Sequence, residues 1–426
     1  MAKGFQSLPG FRDFRPEDCA VRNYLFRTFR EVSRRYGFLE YETPLLEPTE
    51  LYLKKSGGEL SSQLFRFEDQ GGRDVTLRPE VTASLGRLAA TVQREYPKPM
   101  RWFEIGQCFR YEKPQKGRTR EFYQFNVDLL GESSSGADAE LIALSIELMR
   151  ELGFQPGDYV IRLSDRSYWQ AFGEKKGLDE EQTAELLQIV DKLERNKPEV
   201  TEANLSALGL TTEEIKTAIE QPEALGENLD SILANLEARG MRDEVEVDLS
   251  IVRGLAYYTG VVFEVFDAKK SLRAVAGGGR YDTLISSLSN GAVDLPAAGF
   301  AIGDVVIRHL IEETPHAAGK MENALKEGRP CDVFLVLADD SKQADALALA
   351  TKLRSAGIAI TYPLAPTKVG KQFKQAEQSG AQLALVIGNE FPELAIKTLS
   401  SRTEETITAD ADIADSILKR LNTTSS

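Results

Sequence analysis

Two segments, MRWFEIGQCFRYE (100–112) and RTREFYQFNVDLLG (118–131), alternate as strands do and are joined by one cationic loop. Paired, they form a long-looped antiparallel hairpin over residues 100–131. A ribbon of that length has to bury a face, which predicts an antiparallel sheet flanked by helices. Its loop is unusual for this chain. FRYEKPQKGRTREFYQF (109–125) gathers Arg110, Lys113, Lys116, Arg118 and Arg120, although the formal net charge is −14. An acidic chain is a poor general polyanion binder, so any phosphate or nucleic acid must be met by a local patch such as this one.

The text on either side supplies the covering elements. Apolar Val21, Leu25, Phe29 and Val32 predict a helix over 18–36, ended by Gly37. FLEYETPLLEP follows as an extended segment, and DVTLRPEVTASLGRLAATV (74–92) reads as strand then helix. From about 170 to 245 the sequence turns rich in Glu, Leu and Lys, with no aromatic residue between Phe172 and Tyr257; this predicts an inserted helical subdomain. Strands are expected again at YYTGVVFEVF (257–266) and LRAVAGG (272–278). Residues 312–330 read as a polar linker. Beyond it, CDVFLVLA, a helix over 341–356, IAITYPL, a helix near 369–379 and LALVIG form a small parallel or mixed α/β domain. The fold class is α+β, with one domain over 1–329 and a second over 330–426.

Bulk properties exclude several classes. Hydrophobic content of 42% and charged content of 28% fit a soluble globular protein. No apolar run reaches the roughly 18 residues of a membrane span, and the N-terminus lacks the apolar core of a secretory signal. Three widely spaced cysteines suggest a reducing cytosol, hence a cytoplasmic location. Two histidines, His309 and His316, cannot build a His-rich metal site.

Five cations between two strands suit a polyphosphate, because guanidinium groups bind phosphate oxygens bidentately. The plainer reading is a solvated charged hairpin. Neither GxxxxGK[ST] nor a helix-opening GxGxxG occurs, so arginines on a sheet would have to hold the phosphates.

At this point the sequence resembles a family. FRYEKPQKGRTREFYQF is similar to motif 2 of the class II aminoacyl-tRNA synthetases, and most closely to that of the histidyl-tRNA synthetases. LPGFRDFRPED and YGFLEYETPLLEP resemble the family's N-terminal segment and motif 1, with Pro44 as its proline. TLRPEVTAS, VRGLAYYTGVVFE, GGGRYDTL and GFAIGD follow in the family's order, the last at the start of motif 3. The C-terminal unit resembles the anticodon-binding domain. The resemblance implies a class II sheet and a homodimer through motif 1. The implied reaction joins histidine and ATP, with Mg²⁺ on the phosphates, into histidyl-adenylate and then loads tRNA(His). It also implies roles. Arg110 would bridge the amino-acid carboxylate and the α-phosphate, Glu112 would hold the adenine amino group, and Arg118 would reach the outer phosphates, with Arg120 as a helper. Glu80, Thr82, Gln124 and Asp128 would line the histidine pocket, and Tyr257 and Tyr258 would close over the imidazole. Strand packing is the other reading of that tyrosine pair. Gly277, Gly278 and Gly279 read as a strand-end turn or, with Arg280-Tyr281-Asp282 following, as a close backbone approach at the site, which is the reading adopted.

Two departures stand out. Ala256 occupies the usual Asp of the two-tyrosine signature, and Val305 and Val306 stand where motif 3 carries Glu-Arg. Arg308 lies about 200° further round the helix and points away. Arg253 is then the cation expected from the C-terminal half of the site, facing the α-phosphate, unless it pairs with Asp248 or Glu264. The departures keep open a histidine-sensing regulatory subunit of ATP phosphoribosyltransferase. A class II synthetase for threonine, proline or glycine is disfavoured by the two-tyrosine signature. In the C-terminal domain, Lys368, Lys371 and Lys374 line one side of a helix; they are either a solvated face or a tRNA contact.

Overall fold

The computed structural model describes residues 5–53, 58–115, 117–193, 196–222, 224–252, 257–269, 274–328 and 330–424. It divides into two compact units, Met1–Met321 and Glu322–Ser426.

The first unit is built on strands β1 (Leu39–Glu40), β2 (Leu46–Pro48), β3 (Phe65–Glu68), β4 (Asp74–Leu77), β5 (Met100–Phe109), β6 (Glu121–Leu130), β7 (Tyr159–Asp165), β8 (Val245–Val247), β9 (Val261–Asp267), β10 (Ala276–Arg280) and β11 (Ala297–Gly303). Eight of them make one sheet in the order β1-β5-β6-β11-β10-β9-β7-β8, and β2-β4-β3 make a small second sheet. The β5–β6 hairpin runs in unbroken antiparallel register from Met100↔Leu130 to Phe109↔Glu121. All the central pairings are antiparallel. Only the short edge pairs β1–β5 and β7–β8 are parallel. Parallel neighbours need a crossover connection, and β7 and β8 have one: five helices, Arg166–Lys175, Glu180–Asp191, Pro198–Ala207, Thr212–Glu220 and Glu227–Ala238, stand between them in sequence. Leu186, Leu205, Ile215 and Leu236 are fully buried on these helices.

The helix Pro16–Arg35 begins with Pro at its first turn and acidic Glu17 and Asp18, and ends on Arg34 and Arg35 before Gly37 at φ +74°. It packs on one face of the hairpin, where Phe29 stacks on Phe125 at 4.6 Å and Phe26 meets Tyr123 at 5.1 Å. Strand alternation then decides what β6 offers on its other face. Tyr123, Phe125 and Val127 point to the helices, while Phe122, Gln124, Asn126 and Asp128 point into a cavity.

The second unit has parallel β12 (Val333–Leu337), β13 (Ile360–Thr361) and β14 (Leu383–Ile387), extended antiparallel by β15 (Glu393–Thr398) and β16 (Glu404–Thr408). Helices Gln343–Ser355, Val369–Gln378 and Ile413–Thr424 complete it. Val333, Leu335, Leu383, Leu385 and Ile387 form a core with Leu349 and Leu353.

Three expectations, and one alternative reading, need correction. Residues 312–330 are mainly helical, not a linker: Pro315–Glu327 is a helix, with Ala317 and Met321 buried at i and i+4. Gly277, Gly278 and Gly279 lie inside β10, mid-sheet, rather than in a strand-end turn. Tyr257 and Tyr258 precede β9 in a turn, pinned where the Thr259 N–H donates to the Arg280 carbonyl at 2.8 Å. The C-terminal unit carries two strands and a helix beyond the β-α-β-α-β reading.

Candidate active site

The cavity has a volume of about 800 Å³ and opens over β6, β11, β10 and β9. Glycines make room for it. A Cβ on Gly299 would overlap the Asp128 carboxylate, and one on Gly278 would overlap the Gly299 carbonyl. Only glycine permits that closeness of backbone and side chain.

The TLRPE segment turns into the cavity because Arg78 anchors it from below. Arg78 Nη1 donates to Glu104 Oε1 at 2.5 Å and to the Thr43 carbonyl at 3.0 Å, and its Nε donates to the Gln107 carbonyl at 2.8 Å. Both charged partners are fully buried. The Pro79 carbonyl then accepts from Arg110 Nε at 2.9 Å, which ties the segment to the start of the cationic loop. Glu80 is buried beside Arg110. Burial pushes its carboxyl above the usual range; the Arg110 charge and the Tyr257 hydroxyl, which donates to Oε2 at 3.4 Å, pull the other way. Thr82 opens the helix Thr82–Val92, and its Oγ1 accepts from Asn126 Nδ2 at 3.4 Å.

Asp128 is the other buried acid. Its Oδ1 accepts from the Tyr281 hydroxyl at 2.5 Å. Burial lifts its carboxyl to about 7, the hydrogen bond opposes this, and the charges of Glu104 and Glu80 add to the rise. Asp128 Oδ2 and Asn126 Oδ1 are buried without a hydrogen-bond partner among the described residues. Buried acceptors of this kind call for a donor. Gln124 accepts from the Cys108 thiol at 3.4 Å. Tyr257 and Tyr258 stand 4.9 Å apart, and Tyr257 lies 6.0 Å from Tyr281.

The loop gives the cavity its positive side. The Arg110 guanidinium lies over the Phe122 ring at 5.3 Å. Gln115 and Arg118 close a tight turn, with the Arg118 N–H on the Gln115 carbonyl at 2.8 Å and Gly117 at φ +74°. Arg118 Nη1 pairs with Glu112 Oε2 at 3.2 Å. Arg110, Glu112 and Arg118 all line the cavity. Arg120 does not: its guanidinium covers Tyr111 at 4.1 Å, with Nε on the Glu112 carbonyl.

Thus Glu80, Thr82, Arg110, Glu112, Arg118, Gln124, Asp128, Tyr257 and Tyr258 meet at one cavity. Arg253 and Ala256 lie outside the described residues, as does Lys116. Val305 and Val306 line the cavity, whereas Arg308 pairs with Asp18 and Glu312. Sequence reasoning missed Phe122, whose parity with Gln124 and Asp128 would have revealed it. It also missed Arg162, which pairs with Asp248 at 3.2 Å and lies over Phe266 at 4.9 Å. The signal there was a lone charge inside the apolar run YVIRLS.

A family model for histidyl-tRNA synthetase matches residues 10–304. The chain belongs to the histidyl-tRNA synthetase family. A second model, for an anticodon binding domain, matches residues 332–420. Within the histidyl-tRNA synthetase family, the chain is 43% identical to the histidine–tRNA ligase of Opitutus terrae, over 94% of this chain and 95% of that protein. It is 36% identical to the chloroplastic/mitochondrial histidine–tRNA ligase of Arabidopsis thaliana, over 92% and 82%. The fold is similar to that of apo S. aureus histidyl-tRNA synthetase, with a TM-score of 0.73 at 25% identity over 97% of this chain and all of that one.

Proposed function

We propose that this cavity is where histidine and ATP are joined. As a histidyl-tRNA synthetase family member the chain is an aminoacyl-tRNA ligase. It makes histidyl-adenylate and pyrophosphate, then passes histidine to the 3′ end of tRNA(His). In the first step a histidine carboxylate oxygen forms a bond to the α-phosphorus, and the bond from that phosphorus to the pyrophosphate oxygen breaks. Negative charge accumulates on the α-phosphate, and fixed guanidinium groups there lower the barrier. Arg110 is assigned to the carboxylate and α-phosphate, Arg118 to the outer phosphates, and Glu112 to the adenine amino group, with the Phe122 ring as a stacking face. Arg253 is assigned to the α-phosphate by resemblance alone. Glu80 and Thr82 take the α-ammonium, Gln124 and Asp128 the polar edges of the substrate, and Tyr257 and Tyr258 cover the imidazole.

The observation that carries the reading is the division of one cavity into a cationic loop and a pair of buried acids. Histidine offers donors for the acids, and ATP offers anions for the loop. Mg²⁺ takes few protein ligands and mostly phosphate oxygens and water. Among the described residues no group of three carboxylates, histidines or cysteines could cage it. Mg²⁺ is expected to arrive with ATP, bridging its phosphates. The first unit is the catalytic domain and the second the anticodon-binding domain. A cytoplasmic enzyme is expected, and no described helix is long and apolar enough to cross a membrane.

The chain acts as a homodimer. Leu39, Leu45, Leu46 and Leu53 are all at least 42% exposed, and they lie in or just after the motif 1 segment. Covering that much apolar surface favours association. A solution mass of two chains at micromolar concentration is expected; one chain would refute the dimer.

The site assignment is tested with Glu80→Gln and Asp128→Asn. Each should cost histidine about 1–3 kcal/mol of binding and leave the KM for ATP within a few-fold. Equal losses for both substrates would refute the assignment.

A further inference from the structure

Behind the cavity, three charged side chains from distant parts of the sequence meet. Arg12 Nη1 donates to Asp304 Oδ2 at 2.9 Å. Its Nε donates to Glu121 Oε2 at 3.4 Å, and its Nη2 to the Glu121 carbonyl at 3.3 Å. Asp304 and Glu121 are buried, while the Arg12 side chain keeps 25% of its surface exposed. Further hydrogen bonds fix both acids. Asp304 Oδ1 accepts from the Tyr123 N–H at 2.8 Å, and Glu121 Oε1 from Gln107 Nε2 at 3.0 Å.

None of the three lines the cavity, but the immediate neighbours of Glu121 and Asp304 do. Glu121 precedes Phe122 in β6. Asp304 opens the helix Asp304–Glu313; Gly303 just before it, and Val305 and Val306 in its first turn, lie along the cavity wall. The segment bearing Arg12 is itself held to the sheet, because the Gly10 carbonyl accepts from the Arg120 N–H at 2.8 Å. Gly10 sits at φ +87°, and a Cβ there would lie 2.8 Å from Arg120 Cγ.

Two buried carboxylates this close repel unless a cation lies between them. A guanidinium presents a planar fork of five donors and satisfies both at once; an ammonium is a single point charge. The fork also fixes a direction, and so sets how the first turn of the Asp304–Glu313 helix stands against β6. Motif 3 supplies no cation of its own here, since Val306 holds that slot. We propose that Arg12 is a positioning residue that sets the nucleotide wall of the cavity from the back of the sheet, through Asp304 and Glu121. The proposal rests on the reading above that ATP lies along Phe122 and this helix start.

The test is histidine-dependent ATP–pyrophosphate exchange on the full chain, with KM measured for each substrate. Arg12→Met should raise the KM for ATP by about ten-fold or more and leave the KM for histidine within two-fold. Arg12→Lys should fall between wild type and Arg12→Met. The triple variant Arg12→Met/Glu121→Gln/Asp304→Asn buries no unpaired charge and should melt near wild type, yet keep the raised KM for ATP. An unchanged KM for ATP in Arg12→Met would overturn the proposal. So would a triple variant with the wild-type KM, which would make Arg12 a charge neutraliser only. So would a KM for histidine that rises in step with that for ATP. Failure of the underlying reading looks different: the unmodified enzyme would show no histidine-dependent exchange.

Discussion

Asp128, assigned above to the substrate, also bears on stability. Burial raises its carboxyl to about 7 in the folded chain, against about 3.9 for a free aspartate. Between those values the folded chain holds a proton that the unfolded chain has lost, so stability falls as pH rises through the interval. Below it both states are protonated, and the contribution is fully present. Asp128→Asn does not titrate. The difference in unfolding free energy, wild type minus variant, should therefore shrink as pH rises from about 4 to about 7. Denaturant midpoints measured across that range would check this, and a constant difference would contradict it. At this scale the sequence was readable where a residue stands in a local pattern: Glu80 and Thr82 in TLRPEVT, and Arg110 and Arg118 in the loop, all line the cavity. It was silent where the partner is remote. Arg12 and Asp304 are 292 positions apart, and nothing local to either names the other.

Elements were legible where periodicity and burial agree. β5 and β6 alternate, carry many aromatics and pair along their whole length, so the hairpin followed from the text alone. β10 was expected from LRAVAGG only as far as Gly278; its continuation through Gly279 and Arg280 is set by β9 and β11 on either side, because the glycines offer no side chains to alternate. The helix Pro315–Glu327 was obscured by its polar residues, since two apolar side chains one turn apart suffice to seat it. In the second unit, Lys368 immediately precedes the helix Val369–Gln378, and Lys371 and Lys374 continue one exposed side. Lys368 and Lys371, at the helix start, oppose the macrodipole, a cost of about 0.3–1 kcal/mol each. None of the three forms an ion pair among the described residues. We assign this stripe to the phosphates of the tRNA anticodon stem. Lys368→Glu/Lys371→Glu/Lys374→Glu should weaken tRNA binding and flatten its salt dependence; an unchanged KM for tRNA would remove the stripe from the interface.

For the whole molecule, charge is distributed rather than averaged. A chain of formal net charge −14 draws Arg110 and Arg118 to one rim of a cavity whose depth holds Glu80 and Asp128. That polarity belongs to the assembled sheet, which brings residues 80, 110, 128 and 257 together from four separate segments. The ordered motifs foretold the assembly through resemblance; composition alone did not. If this cavity selects histidine and activates it with ATP, then ATP–pyrophosphate exchange run with each amino acid in turn should proceed with histidine, be abolished in Arg110→Ala, and not occur with threonine, proline or glycine; exchange driven by another amino acid, or none with histidine, would rule this function out.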